Sequence, residues 1–416
     1  MRKDDLGTII DLTGHPYLKL VTAIGTNGVL KSWNYTTGKS IVSHKYEEGK
    51  LPTAIAYSNC LGTILAIGFE NGDFNLLEST TLTDTKILLE SYSSESPIRK
   101  IVFDAFNNFI CYTNDAFTIS IEISSQLLKL EKEKNEPTNA GYNFRGRFCA
   151  HRAPILDVLF INNPEDKKVP RLFTLGADHR LVEYNLISAV ESAELEVLQA
   201  HNIDRVNCPL SLCHLPVEEY PEDFICVAND RNKLVLYNSV TMLARRTFAI
   251  AATEESCERI KVVSQSQDDS FELKGKRFLA AITKSKLTLT MLPLTGNPYE
   301  MACTTANIAP SSGSLAISPC GRFFFTAGGT DNSLHMWSVR YDLLQKRLEA
   351  GGEGMVPFNR LIPASLHEEL KDYFYYAMLI TQEIDILNKR ITCRTIPIKE
   401  VPHIFRAIGV YLTEQE

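Results

Sequence analysis

Apolar residues recur along most of the chain in short runs, each closed by a polar or glycine-bearing turn. The clearest unit is Leu315–Val339. An apolar strand leads into a Ser-Pro-Cys-Gly turn at 318–321 and a second apolar strand follows. A Thr-Asp-Asn-Ser turn then holds Asp331, and a third strand ends around Trp337. A second copy, Ala150–Leu186, opens with His151 and runs through Ile155, Val158 and Phe160. Its second strand occupies 172–177, Asp178 follows in the turn, and Tyr184 stands where Trp337 stood. Short apolar runs bounded by turn residues read as strands. The same grammar returns more weakly in Leu20–Asn34, Ile55–Leu77, Ile98–Ile121, Phe224–Tyr237 and Phe278–Met291.

The anchors are Trp33, Leu77, Ile121, Tyr184, Tyr237, Met291 and Trp337, at intervals of 44, 44, 63, 53, 54 and 46 residues. A base period of about 44 with four strands per unit is the signature of a WD-repeat β-propeller. Seven copies predict an all-β, seven-bladed propeller over residues 1–340. One blade alone is a small twisted sheet with two apolar faces, and radial stacking buries them. A strand-like segment, Gly7–Leu12, precedes the first copy, so pairing of terminal segments is expected to close the ring. The longer intervals come from Lys129–Tyr142, Pro216–Asp223 and Ser264–Lys276, charged or polar stretches expected as surface loops.

Several residues invite a chemical reading. His151 and Asp178 stand where this repeat places the histidine and turn aspartate of a hydrogen-bonded network that fixes a blade. They are therefore assigned structural roles, and His201, which follows an alanine as His151 does, is assigned the same one. Trp33, Tyr184, Tyr237, Asp331 and Trp337 complete the set of structural blade residues, with the tryptophans expected as buried packing groups. No catalytic, cofactor or metal site is expected. The sequence holds no GxSxG, HExxH, GxxxxGK[ST] or dinucleotide-binding fingerprint.

Composition narrows the classes further. Apolar residues make up 44% and charged residues 22%, ordinary for a globular chain with a large core. A net charge of −7 argues against general phosphate-backbone binding, so no nucleic-acid partner is expected. The first twenty residues do not read as a signal peptide, and no long apolar stretch suggests a membrane partner. The ten cysteines are scattered without a CxxC and read as buried free thiols of a reducing compartment.

The pattern changes after Arg340. Tyr341–Glu349 has helical character with two basic residues beside an apolar face, a weak calmodulin-target signal. Gly351, Gly352 and Gly354 mark a hinge, which makes 341–364 a linker. From Ser365 a helix is expected, with Ser365 and Glu368 at capping-box spacing. Leu366, Leu370, Tyr373, Phe374, Ala377 and Met378 follow at helical intervals. A second helix is expected over Ile398–Ile408. The stretch Arg394–Glu416 resembles the exit half of an EF-hand, like the first hand of calmodulin. Glu400 at loop position 12 places Lys389, Ile391 and Cys393 at positions 1, 3 and 5, and Arg394 where glycine is usual. A lysine and two side chains without oxygen do not supply a calcium shell. Residues 365–416 are thus expected as a degenerate EF-hand-like tail.

A propeller followed by GGEGMVPFNRLIP, DYFYYAMLITQE and TIPIKEVPHIFRAIGVYLTEQE is a specific combination. It resembles the C-terminal part of the cilia- and flagella-associated WD-repeat protein of the calmodulin- and spoke-associated complex. The tail, Gly351–Glu416, carries the specific part of the likeness. The resemblance implies a non-enzymatic scaffold in the axoneme of a cilium or flagellum, at the base of a radial spoke. It implies calmodulin and other spoke-base subunits as partners, and the doublet microtubule directly or through them. The alternative is a WD-repeat adaptor of a non-ciliary complex.

Overall fold

A computed structural model describes the chain apart from residues 1–5, 48, 61, 86, 91–94, 132–140, 164–167, 205, 216–219, 221, 251–254, 264–276, 295–302, 309–310, 329–331, 350–361, 383–394, 412 and 414–416. Seven small sheets follow one another as the blades of a β-propeller. The first is β1 (Ile9–Gly14), β2 (Leu20–Gly25), β3 (Val29–Asn34) and β4 (Lys39–Lys45). The second is β5 (Pro52–Tyr57), β6 (Ile64–Phe69) and β7 (Phe74–Glu78), with a bridge from Leu77 to Asp84 on its outer edge. The third holds β8 (Leu88–Glu90), β9 (Ile98–Phe103), β10 (Phe109–Asn114), β11 (Ile119–Ser124), then α1 (Ser125–Glu131) and β12 (Gly141–Phe148), with β8 parallel to β12. The fourth is β13 (Ile155–Ile161), β14 (Arg171–Gly176), β15 (Arg180–Asn185), then α2 (Leu186–Glu191) and β16 (Glu196–Asn202). The fifth is β17 (Pro209–His214), β18 (Phe224–Asn229), β19 (Lys233–Asn238) and β20 (Ala244–Ala249). The sixth is β21 (Arg259–Val263), β22 (Phe278–Ile282), β23 (Lys286–Met291) and β24 (Cys303–Asn307). The seventh is β25 (Ser311–Ile317), β26 (Phe323–Gly328) and β27 (Leu334–Ser338).

All seven anchor residues sit on the third strand of their blades, each paired with the second strand. The first strands of successive blades lie side by side around the axis, and β25 meets β1. Seven apolar clusters each straddle one blade-to-blade interface. The strand period of two explains this, because successive side chains of one strand enter opposite interfaces. On β14, Leu172 joins the interface with the third blade, while Phe173 and Leu175 join that with the fifth. Second strands therefore bury both faces, as in β2, β10 and β18, where every residue is buried.

Ring closure differs from the sequence expectation. Among the described residues no terminal segment pairs with the seventh sheet. β1 is taken up by β2, and the ring closes by packing of Ile9, Leu12 and Val21 against Phe325 and Leu334. Ser314 Oγ, on β25, adds a hydrogen bond to the Ile10 carbonyl across the seam (3.2 Å). The inserted segments also depart from plain loops. The stretch Lys129–Tyr142 begins inside α1 and ends on the first residues of β12, where Tyr142 is buried. Residues 264–276 and most of 216–223 lie outside the described residues.

Beyond the ring, α3 (Tyr341–Glu349) docks onto the last two blades. Tyr341 packs on Phe278 with ring centroids 4.7 Å apart, and its hydroxyl donates to the Gly321 carbonyl at 2.6 Å. The apolar face read as a calmodulin-target signal is thus already covered at Tyr341 and Leu344. The hinge glycines lie outside the described residues. Helix α4 (Ala364–Thr381) begins one residue before Ser365, with Pro363 as its N-cap and no side-chain cap bond. The expected capping box does not form, because proline fixes the entry geometry and leaves Ser365 inside the first turn. A 3₁₀ turn (Ile398–Glu400) runs into α5 (Val401–Ala407), which rests against α4. No helix among the described residues is long and apolar enough to cross a membrane.

Candidate functional site

Three features of the structure could carry function: the fourth-blade histidine network, a polar girdle on the inner strands, and the helical tail. The network is assembled by a turn. β14 ends at Gly176, Asp178 follows, and His151 reaches over from the segment before β13. His151 Nδ1 lies 2.9 Å from Asp178 Oδ1, and its Nε2 lies 2.7 Å from Thr174 Oγ1. Thr174 Oγ1 in turn donates to the Tyr184 hydroxyl at 3.3 Å. Asp178 also accepts the backbone N–H of Arg152 at 3.0 Å. Burial alone would raise its carboxyl, but the Arg152 N–H and the His151 imidazole hold it below the usual range. Gly176 is required here, since a Cβ would stand 2.2 Å from His151 Nδ1 and 2.3 Å from Asp178 Oδ1. The His151 side chain is fully buried, so no substrate reaches it. The arrangement ties a loop to a strand.

The other blade residues divide. Trp337 Nε1 donates to Thr326 Oγ1 at 3.0 Å, as Tyr184 meets Thr174, yet Trp337 is only half-buried. Trp33 is likewise half-buried, against the seam between the first and seventh blades, so neither tryptophan is the fully buried group expected. Tyr237 is buried and donates to the Ile203 carbonyl at 3.0 Å, outside any histidine network. Asp331 lies outside the described residues. His201 lies on β16 opposite Leu181 and meets Gln199 Oε1 at 3.1 Å. The dipeptide it shares with His151 falls on a strand rather than before one, so the shared role does not hold.

The polar girdle was not read from sequence. Asp11, Thr53, Lys100, Asp157, Ser211 and Ser314 occupy the first strands of six blades. Asp11 faces the Ile55 N–H at 3.4 Å, and Thr53 Oγ1 donates to the Ile98 carbonyl at 2.5 Å. Lys100 donates to Asp157, which also accepts from Ser211 Oγ (2.7 Å) and the Leu212 N–H (2.9 Å). Ser211 Oγ then accepts the Ile260 N–H at 3.2 Å. Burial would raise the Asp157 carboxyl, but Lys100 and these donors hold it below its ordinary range. Burial lowers the nearby Lys261 amine to about 8. Each link joins one blade to the next, which is the work of a buried polar network that is nearly fully satisfied.

One further cluster resembles a hydrolytic triad. Asp223 lies 2.5 Å from His214 Nε2 and accepts Ser239 Oγ at 2.6 Å. The carboxylate sits between the other two, so the imidazole is not placed to take the serine proton. Arg171 binds the same serine and Glu183, which makes this another inter-blade tie. Among the described residues no group of three His, Cys, Asp or Glu could hold a metal ion. The cysteines are less uniform than expected. Cys111, Cys213, Cys226 and Cys257 are buried, but Cys149 is exposed, and all eight described as thiols are free.

The tail is the surface that stands out. Ala377 and Met378 are buried, yet Tyr376, Leu379 and Ile380 of α4 are 63%, 49% and 46% exposed. Ile398, Phe405, Val410 and Tyr411 continue this apolar exposure around the second helix. Apolar side chains left exposed on two packed helices are the kind of surface that protein contacts cover. Glu400 closes the 3₁₀ turn, while Lys389, Ile391 and Cys393 lie outside the described residues.

Fold and networks together define a seven-bladed β-propeller of WD-repeat type, in which a set of buried polar groups ties one blade to the next. The comparisons with known proteins follow the same line. No family model matches the chain. It is 29% identical over 406 residues to cilia- and flagella-associated protein 251 of Mus musculus, covering 97% of this chain and 30% of that one. The protein of the same name from Pongo abelii is 29% identical over 412 residues, covering 98% and 34%. That from Tetrahymena thermophila is 23% identical over 445 residues, covering 100% and 44%. These proteins are homologues of this chain, and it spans about a third of the length of the two mammalian ones. A chain from a crystal structure of the mitotic checkpoint complex shares the fold, with a TM-score of 0.56 at 12% identity, over 82% of this chain and 89% of that one.

Proposed function

We propose that this chain is a non-enzymatic scaffold of the cilium or flagellum, seated on the axoneme at the base of a radial spoke. The observation that carries the reading is the match along 97% of the chain to a relative named for cilia and flagella. In this reading the chain is part of the calmodulin- and spoke-associated complex. Its partners are calmodulin and other spoke-base subunits, with the doublet microtubule contacted directly or through them. The propeller's polar groups are used internally, which suits a rigid body that holds partners in fixed relation. With α3 docked on the propeller, the exposed apolar face of α4 and α5 is the surface offered to a calmodulin-type partner.

Fractionation tests the proposal. The protein is tagged in flagellated cells of its source and extracted with detergent. Retention on the axoneme, with calmodulin co-purifying after high-salt release, is expected. Complete release into the detergent-soluble fraction, without calmodulin, refutes the spoke-base scaffold and favours an adaptor of a non-ciliary complex.

A further inference from the structure

In three blades of this protein the third strand is buried along its centre. β15, β19 and β23 each carry four consecutive buried residues at their centres. A fourth strand covers each of them: β16, β20 and β24. β27 differs. Of Leu334–Ser338 only Leu334 is buried, Trp337 is half-buried and Met336 is 41% exposed. The seventh sheet has three strands among the described residues, and β27 forms its outer edge.

The register says which groups face outward. Trp337 pairs with Phe324, His335 with Thr326, and the Val339 N–H donates to the Arg322 carbonyl at 2.9 Å. Antiparallel alternation therefore turns the N–H and C=O of Met336 and Ser338 toward the open side. A cavity of about 910 Å³ lies between this edge and the first blade, where Leu334 and Met336 face Lys31, Trp33 and Lys39. A second, of about 260 Å³, lies toward the sixth blade and α3, beside Trp337, Arg340 and Leu343. Among the described residues, three cations and no carboxylate line the two cavities, on a chain whose net charge is −7.

We propose that β27 is a docking edge for an extended strand of a partner protein, one that interleaves apolar and acidic residues. Main-chain groups of Met336 and Ser338 pair with the incoming backbone, as in strand addition to a sheet edge. Alternate side chains of the strand enter the two cavities, and its carboxylates meet Lys31, Lys39 and Arg340. The inference rests on the fold and stands apart from the ciliary reading.

The sequence has two tryptophans, and both line these cavities, so their emission reports on the trough. The probe is the peptide Glu-Val-Leu-Glu-Val-Leu-Glu, titrated into the full chain. A saturable change in emission is expected, weakening about fivefold or more between 0.05 and 0.5 M salt as the charges are screened. Met336→Pro removes an outward N–H while sparing the ladder to β26, as proline does on an edge strand. It should weaken binding about tenfold while leaving the melting temperature within a few degrees. A peptide N-methylated at alternate residues tests the same pairing on the unaltered protein, and should also bind about tenfold more weakly. An unchanged emission, or equal affinity for the proline variant and the N-methylated peptide, overturns the proposal. So does a dimer of the chain alone that Met336→Pro dissociates, since the edge would then be taken by a second copy.

Discussion

Glu122 offers the sharpest quantitative test of the packing. It lies on β11 between Ile110 of β10 and Phe144 of β12, and it is fully buried. Among the described residues neither carboxyl oxygen has a hydrogen-bond partner. Burial pushes its pKa up to about 8, so the acid is neutral at pH 7. The perturbation is Glu122→Gln, which keeps the volume and removes the titration. In the unfolded chain the acid ionises near 4.5. A folded pKa raised above the unfolded one gives stability that is whole below pH 4.5 and is lost as pH rises toward 8. Relative to the glutamine variant, the wild type should lose about 1.4 kcal/mol per pH unit across that window. Fully developed, the loss is roughly 4–5 kcal/mol, levelling off above pH 8. Any packing cost of the amide is a constant offset and does not change the slope. Urea unfolding of both proteins at integer pH from 5 to 9 measures it. Parallel stability curves, differing by less than about 0.5 kcal/mol in their pH dependence, would mean the carboxylate is charged and solvated in the native state.

Three further predictions follow from the networks and the tail. Asp157→Asn leaves the Lys100 ammonium buried beside an uncharged amide and should cost about 3–5 kcal/mol in urea unfolding. His151→Ala removes two buried hydrogen bonds and should cost about 2–4 kcal/mol, whereas His201→Ala on its exposed strand should stay within about 0.5 kcal/mol. Equal losses at the two histidines would refute the distinction. Glu400→Gln should leave the melting temperature in calcium unchanged, because Lys389 at the first loop position opposes a cation. A calcium-dependent shift in melting that the substitution abolishes would restore an ion site to the tail.

The repeat was legible because each unit writes its own second and third strands in local apolar runs. Every anchor, from Trp33 to Trp337, fell on a third strand. What was illegible depends on contacts between units. Trp33 and Trp337 are both half-buried although β3 has a fourth strand beside it and β27 has none among the described residues, so their burial was not written in the local apolar run. His201 shares a dipeptide with His151 but falls within β16 rather than before a first strand, and strand register decided its surroundings. The girdle of Asp11, Thr53, Lys100, Asp157, Ser211 and Ser314 was visible only as isolated polar residues in first strands. Their recurrence at that position in six blades is the signal that would have found them. Glu122 gave no sequence signal at all, because a glutamate between apolar residues on a strand ordinarily faces water. At the tail, Ser365 and Glu368 had capping spacing, but Pro363 set the start of the helix first.

The central claim is that the chain builds part of the axoneme at a spoke base. Cryo-electron tomography of axonemes tests it most directly, comparing cells with a density-tagged protein and cells lacking it. The account predicts tag density at the base of one radial spoke in every axonemal repeat, and loss of density at that point in the null. Spoke bases identical in both strains, with the tag recovered away from the axoneme, would contradict it.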